Sequence, residues 1–261
     1  MGLTIQLTSG RVGRILVAFV AAGLLGACAA GSSGPGGIND PYEQTNRGVH
    51  QFNRGLDRAL VGPAANGYGS VVPAPVQRVV GNVVDTLDLP GDIVNDLLQA
   101  NIADAGQNTL RLAVNLTFGL LGTLDASTAL GMPGKPTDFG QTLHVWGAGE
   151  GVYLEVPFLG PSTARDATGA VVDLVLNPTR VLLPEREATA AAVLKLLSRL
   201  GDRDRYAETV EAILYDSADS YAQARLLYLQ NRRFALGQTG AAAGAGGDGD
   251  FIDPYEDPYG Q

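Results

Sequence analysis

The residues that could do chemistry are few, and their surroundings are unlike those of a catalytic site. The chain contains two histidines, His50 and His144. A Ser-His-Asp site needs a serine on a sharp turn beside one of them, and no Gly-x-Ser-x-Gly segment is present. Ser70 and Ser162 lack that context, and the apolar neighbours of His144 are typical of half-buried packing. These patterns disfavour a hydrolase.

Four aspartates have a spacing that could bind a cation. Asp85, Asp88, Asp92 and Asp96 fall three or four residues apart and could line one face of a helix. Pro90-Gly91 interrupts that face, so helix caps and solvated surface explain them better than a calcium site, which stays the alternative. The EF-hand pattern is absent, and a zinc site needs about four His, Cys or carboxylate ligands. The sequence therefore predicts no metal site.

The single cysteine, Cys28, occupies a position typical of lipid attachment. Two arginines precede an apolar stretch, residues 15–25, which is too short to cross a bilayer as a helix. Leu25-Gly26-Ala27-Cys28 resembles the bacterial lipobox, at which the thiol is lipidated and the preceding residues are removed. We therefore expect a signal peptide over 1–27 and an anchor of two or more acyl chains on Cys28. The alternative is an ordinary secretory signal with a coincidental cysteine.

The residue after Cys28 and the overall composition indicate where the protein is located and which partners it does not bind. Ala29, rather than aspartate, follows Cys28, and by resemblance to lipoprotein sorting rules this predicts the outer membrane, held by a lipid anchor in its periplasmic leaflet. Residues 28–38 form a Gly/Ser/Pro tether. The formal net charge of −9 disfavours nucleic-acid binding, which needs clustered Lys and Arg. With no second cysteine, an intramolecular disulfide is excluded.

Glycine and proline divide the rest of the sequence into short amphipathic helices. The first is expected to begin with Asp40 as N-cap of Asp40-Pro41-Tyr42-Glu43 and to end before Gly62-Pro63. Further helices are predicted at 76–87, at 92–98 after a break at Pro90-Gly91, and at 102–121.

Residues 131–160 change character. Short strands at 141–146 and 152–156 are one interpretation of this glycine-rich region, and an irregular loop is the other. Helices are predicted to resume at 164–176, 185–200 and 206–234. The Gly/Ala-rich and acidic tail, 237–261, lacks the apolar surface needed to fold and is predicted to be disordered. We expect a mainly α domain over 39–236.

The helix predicted over 102–121 is unusually apolar. Its polar residues Arg111 and Asn115 lie four apart and therefore share one face. An ordinary core helix is one interpretation. The other is a helix that lies in the membrane interface or is partly inserted, with its few polar residues facing a wet interior.

A series of short motifs along residues 39–234 resembles, in one order, the VacJ/MlaA family of outer-membrane lipoproteins. The motifs are Asn39-Asp40-Pro41-Tyr42-Glu43, Asn46-Arg47, Phe52-Asn53, Gly62-Pro63, Val72-Pro73, Pro90, Val94-Asn95, Leu98-Gln99, Arg111, Asn115, Gly119, Asp138-Phe139-Gly140-Gln141-Thr142-Leu143, Gly147, Gly149-Glu150-Gly151, Tyr153, Pro157-Phe158-Leu159-Gly160-Pro161-Ser162, Arg165-Asp166, Asp216-Ser217 and Asp219-Ser220-Tyr221. The tail falls outside the match.

The resemblance implies a ring-like bundle of helices around an amphipathic channel, in the inner leaflet of the outer membrane. It implies a lipoprotein that removes mislocalised phospholipids from the outer leaflet. These lipids would pass to a periplasmic carrier protein for retrograde transport, which maintains lipid asymmetry. Association with trimeric porins is implied as well, whereas a cofactor and enzymatic activity are not. The alternatives are a structural, porin-associated lipoprotein without transport activity and a lipid-modifying enzyme.

Two groups of residues are expected to serve such a channel. Those expected to line it are Arg111, Asn115, Gly147, Gly149 and Gly151. Those expected to control access are Phe52 and Asn53 on the first helix, and Phe139 and Gly140 at the end of a hinge or hairpin over 131–141.

Overall fold

A computed structural model describes residues 38–179 and 183–238. These residues form helices joined by turns, together with a two-stranded antiparallel sheet, so the prediction of a mainly α fold is confirmed. The predicted signal peptide, Cys28, nearly all of the tether and most of the tail lie outside the described residues. The ring shape stays a prediction.

The elements follow one another closely along the chain. In order they are α1 (Glu43–Leu56), a first π turn, π1 (Asp57–Val61), α2 (Gly62–Val71), α3 (Ala74–Leu98), α4 (Ile102–Thr117), α5 (Ala126–Ala129), α6 (Phe139–Val145), β1 (Tyr153–Val156), β2 (Gly160–Thr163), α7 (Ala164–Leu176), α8 (Glu185–Arg205), α9 (Ala207–Glu211), a second π turn, π2 (Ala212–Asp216), and α10 (Ser220–Ala235).

The first helix does not end where the sequence predicts. α1 continues through π1 into α2, because the N–H of Gly62 bonds to the carbonyl of Asp57 and the missing N–H of Pro63 falls in the first turn of α2. Asp40 is not the N-cap either. Tyr42 holds that position, and the carboxylate of Asp40 instead accepts a bond from Asn46 Nδ2 at 2.9 Å.

The predicted break at Pro90-Gly91 is also wrong. α3 runs through Pro90 for 25 residues. A proline inside a helix costs about 3 kcal/mol. α3 offsets this by packing along its length against α4 and α8, with Val84 and Leu89 buried before Pro90 and Asn95 and Asp96 buried after it. Tertiary packing therefore outweighs the local penalty.

α4 is shorter than predicted, ending at Thr117 rather than at 121. The following residues Leu120 and Leu121 have positive φ angles of 51° and 60°, as does Gly122 at 85°, so the chain leaves the helix in a left-handed turn. The N–H of Gly122 closes this turn by donating to the carbonyl of Asn115 at 2.9 Å.

The predicted strand at 141–146 is wrong, whereas the one at 152–156 is confirmed. Residues 139–145 form α6, capped by Asp138, which accepts a bond from the N–H of Gln141 at 2.7 Å. β1 pairs antiparallel with β2, with Tyr153 opposite Thr163 and Val156 opposite Gly160. A seven-residue helix is too short to show a helical period in the sequence.

At the C-terminal end, α7 matches its predicted range, and α8 extends beyond its predicted end to Arg205. The single long helix predicted over 206–234 is interrupted: α9, π2 and α10 replace it. Asp219 begins the last of these by accepting a bond from the N–H of Ala222 at 3.1 Å.

The buried apolar centre is small. Tyr153 of β1 packs with Tyr221 and Leu229 of α10, and Ile38 and Tyr228 lie against them. None of the helices within residues 38–179 and 183–238 has the length and apolar character needed to cross a membrane.

Candidate functional site

Arg111 lies on α4 and is almost fully buried, with 5% of its surface exposed. Its Nη1 donates to Thr128 Oγ1 at 3.1 Å and to the carbonyl of Met132, and its Nη2 lies 3.5 Å from Asp125 Oδ1. Its Nε is buried without a hydrogen-bond partner in the described structure. A Cβ on Gly134 would lie 3.5 Å from Nη2, so the guanidinium holds the whole segment 125–134 against α4.

Asn115, one turn further along α4, has the same role. Its Oδ1 accepts a bond from the N–H of Ser127 at 3.0 Å, and its Nδ2 lies 3.4 Å from Thr86 Oγ1 on α3. Only 2% of the residue is exposed. As predicted from their spacing, Arg111 and Asn115 share a face of α4, and that face is covered by the segment that contains α5.

The glycines at 147–151 form a separate place in the molecule. Gly147 ends α6 in a Schellman motif: its N–H bonds to the carbonyl of His144, and that of Ala148 bonds to the carbonyl of Leu143. Its φ of +91° explains the glycine. Within the described residues, the side chains of Arg111 and Asn115 form hydrogen bonds and an ion pair with Thr86 and with residues 125–132, and none with residues 147–151.

Gly149 and Gly151 flank Glu150, which anchors this segment to the C-terminal helix. Glu150 accepts two bonds from Arg233, each 2.9 Å long. A side chain at Gly151, whose φ is +76°, would meet Ala164 Cβ at 3.0 Å. The contacts of this segment therefore go to α7 and α10.

Phe52 and Asn53 lie together at the tip of the β-hairpin. Asn53 Nδ2 donates to the carbonyl of Val156 at 3.0 Å, and its Oδ1 accepts a bond from the N–H of Phe158 at 2.8 Å. The rings of Phe52 and Phe158 meet edge to face, with centroids 5.4 Å apart. One residue of α1 thus fixes the hairpin turn, and its neighbour packs against it.

Gly140 marks the crossing of α6 and α7. A Cβ on Gly169 of α7 would lie 2.3 Å from the N of Gly140, so the two backbones touch. On its other side a Cβ on Gly140 would meet Asp166 and Arg232 at less than 3 Å. Phe139, one residue earlier, donates its N–H to Asp173 Oδ2 at 3.0 Å and packs its ring against Trp146.

An ion network stabilises this crossing. Arg232 of α10 donates to both oxygens of Asp138, at 2.8 and 2.7 Å, and to Asp166 at 3.0 Å. Burial opposes ionisation of Asp166, but hydrogen bonds from Arg165 and Arg232 outweigh it and lower the pKa of this carboxyl to about 2. Sequence reasoning missed Arg232, because its partners lie 94 and 66 residues away in the chain.

A buried cluster of polar side chains joins α1, β1 and the start of α10; we call it the polar junction (Asn46, His50, Glu155 and Ser220). His50 Nδ1 lies 3.1 Å from Glu155 Oε1, and its Nε2 lies 3.0 Å from Ser220 Oγ. Asn46 donates to the carbonyl of Tyr153 at 3.1 Å and accepts from the N–H of Glu155 at 3.0 Å. All four are at most 9% exposed.

The order Ser220, His50, Glu155 has the connectivity of a catalytic triad without the surroundings of one. Ser220, His50 and Glu155 are all buried, and the second carboxylate oxygen of Glu155 accepts a bond from the hydroxyl of Tyr153 at 2.6 Å, so the serine hydroxyl is not open to a substrate. The arrangement therefore acts as a structural clamp between three elements.

Three of the four aspartates of α3, namely Asp88, Asp92 and Asp96, contact different partners. Asp88 pairs with Lys195, Asp92 accepts from the N–H of Thr137 at 3.2 Å, and Asp96 accepts from Asn108 at 2.8 Å. Within the described ranges no group of three or more His, Cys, Asp or Glu side chains is placed to hold a metal. Burial, together with nearby carboxylates, raises the pKa of Asp92 to about 7.

The surface next to Arg111 is apolar. Large side chains in the turn after α4 and at the end of α5 are between 52% and 75% exposed; we call them the apolar rim, and they are Phe118, Leu120, Leu121, Leu124 and Leu130. Apolar patches of this kind mark sites of contact with lipid or with other proteins.

Comparison with known proteins identifies the family. The sequence profile described as MlaA lipoprotein matches residues 38–235, which is most of the chain. The chain belongs to the MlaA lipoprotein family.

MlaA relatives agree over most of this range. A protein of Rickettsia felis of uncharacterised function is 32% identical over 189 residues, 72% of this chain and 74% of that protein. The intermembrane phospholipid transport system lipoprotein MlaA of Haemophilus influenzae is 34% identical over 139 residues, 52% of this chain and 55% of that protein.

A solved structure from a study of the structural basis for maintenance of bacterial outer membrane lipid asymmetry is similar to this chain. It superposes with a TM-score of 0.63 at 26% identity, covering 76% of this chain and 98% of that one. The MlaA motifs recognised in the sequence occur at the contacts described above: Asn46 in the polar junction, Asn53 at the hairpin turn, and Gly140 at the helix crossing.

Proposed function

We propose that this protein removes mislocalised phospholipids from the outer leaflet of the outer membrane and passes them to a periplasmic carrier protein, which maintains lipid asymmetry. The observation that carries the proposal is the contrast between the buried polar face of α4 and the apolar rim that follows it in the chain. Buried polar groups at Arg111 and Asn115 lie next to the exposed hydrocarbon of the apolar rim. A phospholipid needs both kinds of surface, since its headgroup must stay hydrogen-bonded while its chains stay in apolar surroundings.

In this proposal the segment 125–134 is the movable part. Arg111 holds it through Thr128 and Met132, and its unpartnered Nε is a donor that a lipid phosphate would satisfy once the segment lifts. Phe52, Asn53, Phe139 and Gly140 set the resting geometry, because they fix the hairpin and the α6–α7 crossing. Gly147, Gly149 and Gly151 would complete the lining next to α7 and α10.

Anchoring and partners complete the proposal. Lipid on Cys28 holds the protein in the periplasmic leaflet, and a trimeric porin is the partner in the membrane. We propose no catalytic step, since Ser220 and His50 are buried within the polar junction, and lipid passage as proposed needs no cofactor. A Ser220→Ala variant should therefore retain full lipid transport, and loss of transport with intact folding would revive the enzyme alternative.

The decisive measurement is the phospholipid content of the outer leaflet in cells that lack the protein, complemented with wild type or with Cys28→Ala. Wild type should restore a low phospholipid content and Cys28→Ala should not. If deletion leaves the outer leaflet unchanged, the structural porin-associated alternative replaces the proposal.

Access through segment 125–134 has its own test. Arg111→Gln removes the charge that holds the segment and should change lipid flux in complemented cells at unchanged protein level. Arg186→Gln, an exposed arginine on α8, is the matched control. Equal flux in both variants would remove Arg111 from the mechanism.

A further inference from the structure

The two π turns of this protein meet. Tyr215 of π2 donates its hydroxyl to Asp57 Oδ2 of π1 at 2.8 Å, and to the carbonyl of Arg54 at 3.3 Å. π-helical turns are rare in proteins, and many of those that exist lie at functional sites. Here they bring one tyrosine ring and several arginines into the same corner of the molecule.

Asp57, the acidic residue of π1, is already paired in this corner. Arg203 of α8 donates from Nε to Asp57 Oδ1 and from Nη2 to Oδ2, each at 2.9 Å. Together with the Tyr215 hydroxyl, this bidentate pair leaves Asp57 committed to Arg203.

Two further arginines remain without an acidic partner. The guanidinium carbons of Arg54 and Arg58 lie 5.3 and 4.8 Å from the centroid of the Tyr215 ring. In the part of the chain that the structure describes, no carboxylate is within ion-pair distance of either, and Arg54 Nε is buried without a hydrogen-bond partner. Glu211 at the end of α9 and Asp216 of π2 flank Tyr215 in the sequence, and both are exposed; Glu211 acts electrostatically on Arg203.

Two unneutralised guanidiniums around one ring repel each other, because they lie within about one Debye length of ~8–10 Å. An oxyanion between them would relieve that repulsion and accept the free N–H donors. A guanidinium fork suits the oxygens of a phosphate group.

We infer that Arg54 and Arg58 form an anion site for a phosphate group, carried by a phospholipid headgroup or free in solution. The inference goes beyond the proposed function, because this site contacts neither Arg111 nor segment 125–134 and would persist if lipid passage failed its test. An arginine pair stacked on an aromatic ring, in a chain of net charge −9, concentrates positive charge where the rest of the molecule repels anions.

The test uses the full chain in a nonionic detergent and follows the Nε–Hε resonances of arginine by NMR. Inorganic phosphate and monomeric dihexanoylphosphatidylglycerol are titrated separately, with chloride at equal ionic strength as reference. The resonances of Arg54 and Arg58 should shift with saturation. Arg58→Gln, at an exposed position, should raise the half-saturating concentration about tenfold, in line with the loss of one charged hydrogen bond. Arg186→Gln should leave it unchanged.

Each outcome decides the matter. Saturation by both ligands, or by the lipid alone, or by inorganic phosphate alone supports the site and identifies its source of phosphate. A response equal to that of chloride, or one that Arg58→Gln and Arg54→Gln leave unaltered while both variants melt like wild type, overturns it.

Discussion

The polar junction and the apolar rim differ in which side chains they bury: the junction buries polar groups, and the rim exposes apolar ones. In the junction, Asn46, His50, Glu155 and Ser220 are buried and bonded to one another or to the backbone. In the rim, side chains such as Phe118 and Leu121 are about three-quarters exposed. A water-soluble domain usually shows the reverse distribution.

The difference shows what each region depends on. The junction depends on geometry, because a buried polar group is costly when it loses its partner. The rim depends on its surroundings, because hydrocarbon is unfavourable only where water contacts it. The polar junction is therefore stabilised by its hydrogen bonds, whereas the apolar rim leaves hydrocarbon exposed at the surface.

Breaking the junction should have the largest effect. Asn46→Ala removes bonds to Asp40, Tyr153 and Glu155 and should lower the free energy of unfolding by about 2–4 kcal/mol, because it leaves buried groups unpaired. Denaturant unfolding of the detergent-solubilised chain measures this. Asn82→Ala, which loses a single bond to the carbonyl of Thr123, is the matched control and should cost about 1 kcal/mol. Equal losses would show that the junction is not especially dependent on its bonds.

Substitution of Asp92 or Asp166 should change the free energy of unfolding by an intermediate amount. The two changes should have opposite signs. The folded-state pKa of Asp92 is about 7 against an ordinary value of 3.8, so the wild-type protein loses stability as pH rises from about 4 to 7. Asp92→Asn should therefore stabilise by about 1–3 kcal/mol above pH 7, and the gain should shrink toward pH 4.

Asp166 provides the counterpart. Its folded-state pKa is about 2, so its contribution is present above pH 4 and is lost as pH falls through 2. Asp166→Asn should destabilise the protein at neutral pH. Melting temperatures of both variants between pH 3 and 8 measure the two trends, and parallel curves would contradict the assignment.

The rim should show the smallest effect on stability. Leu120→Asn and Leu121→Asn should change the free energy of unfolding by no more than about 0.5 kcal/mol, since both sites are exposed and asparagine tolerates their positive φ. The free energy of binding to vesicles, measured by flotation, should weaken by roughly 1.5–3 kcal/mol for each leucine that no longer contacts lipid. Leu229→Asn, in the apolar centre, should show the opposite pattern. It should unfold the protein and should not act on vesicle binding directly.

Local signals explain which elements the sequence predicted correctly. α7 matches its predicted range because Thr163 caps it by accepting from the N–H of Asp166, and its apolar residues recur over three turns. The spacing of Arg111 and Asn115 likewise placed them on one face. Such features depend on neighbours within four residues.

The wrong predictions share one cause. By local rules, both Gly62-Pro63 and Pro90-Gly91 should end a helix. At Gly62-Pro63 the π turn π1 continues the helix instead. At Pro90-Gly91 the packing of α3 against two helices keeps it continuous. The strand predicted at 141–146 is a helix because Asp138 caps it and Arg232 holds that cap from the far end of the chain.

From its sequence alone, this protein can be recognised as a mainly α MlaA-type chain, because caps, glycine positions and motif order are properties of adjacent residues. Only the tertiary structure brings His50 to Glu155 and Ser220, respectively 105 and 170 residues away. It alone buries Arg111 beneath segment 125–134 and leaves the leucines of the rim exposed. Burial and long-range pairing depend on how the helices pack together, and no local pattern specifies that.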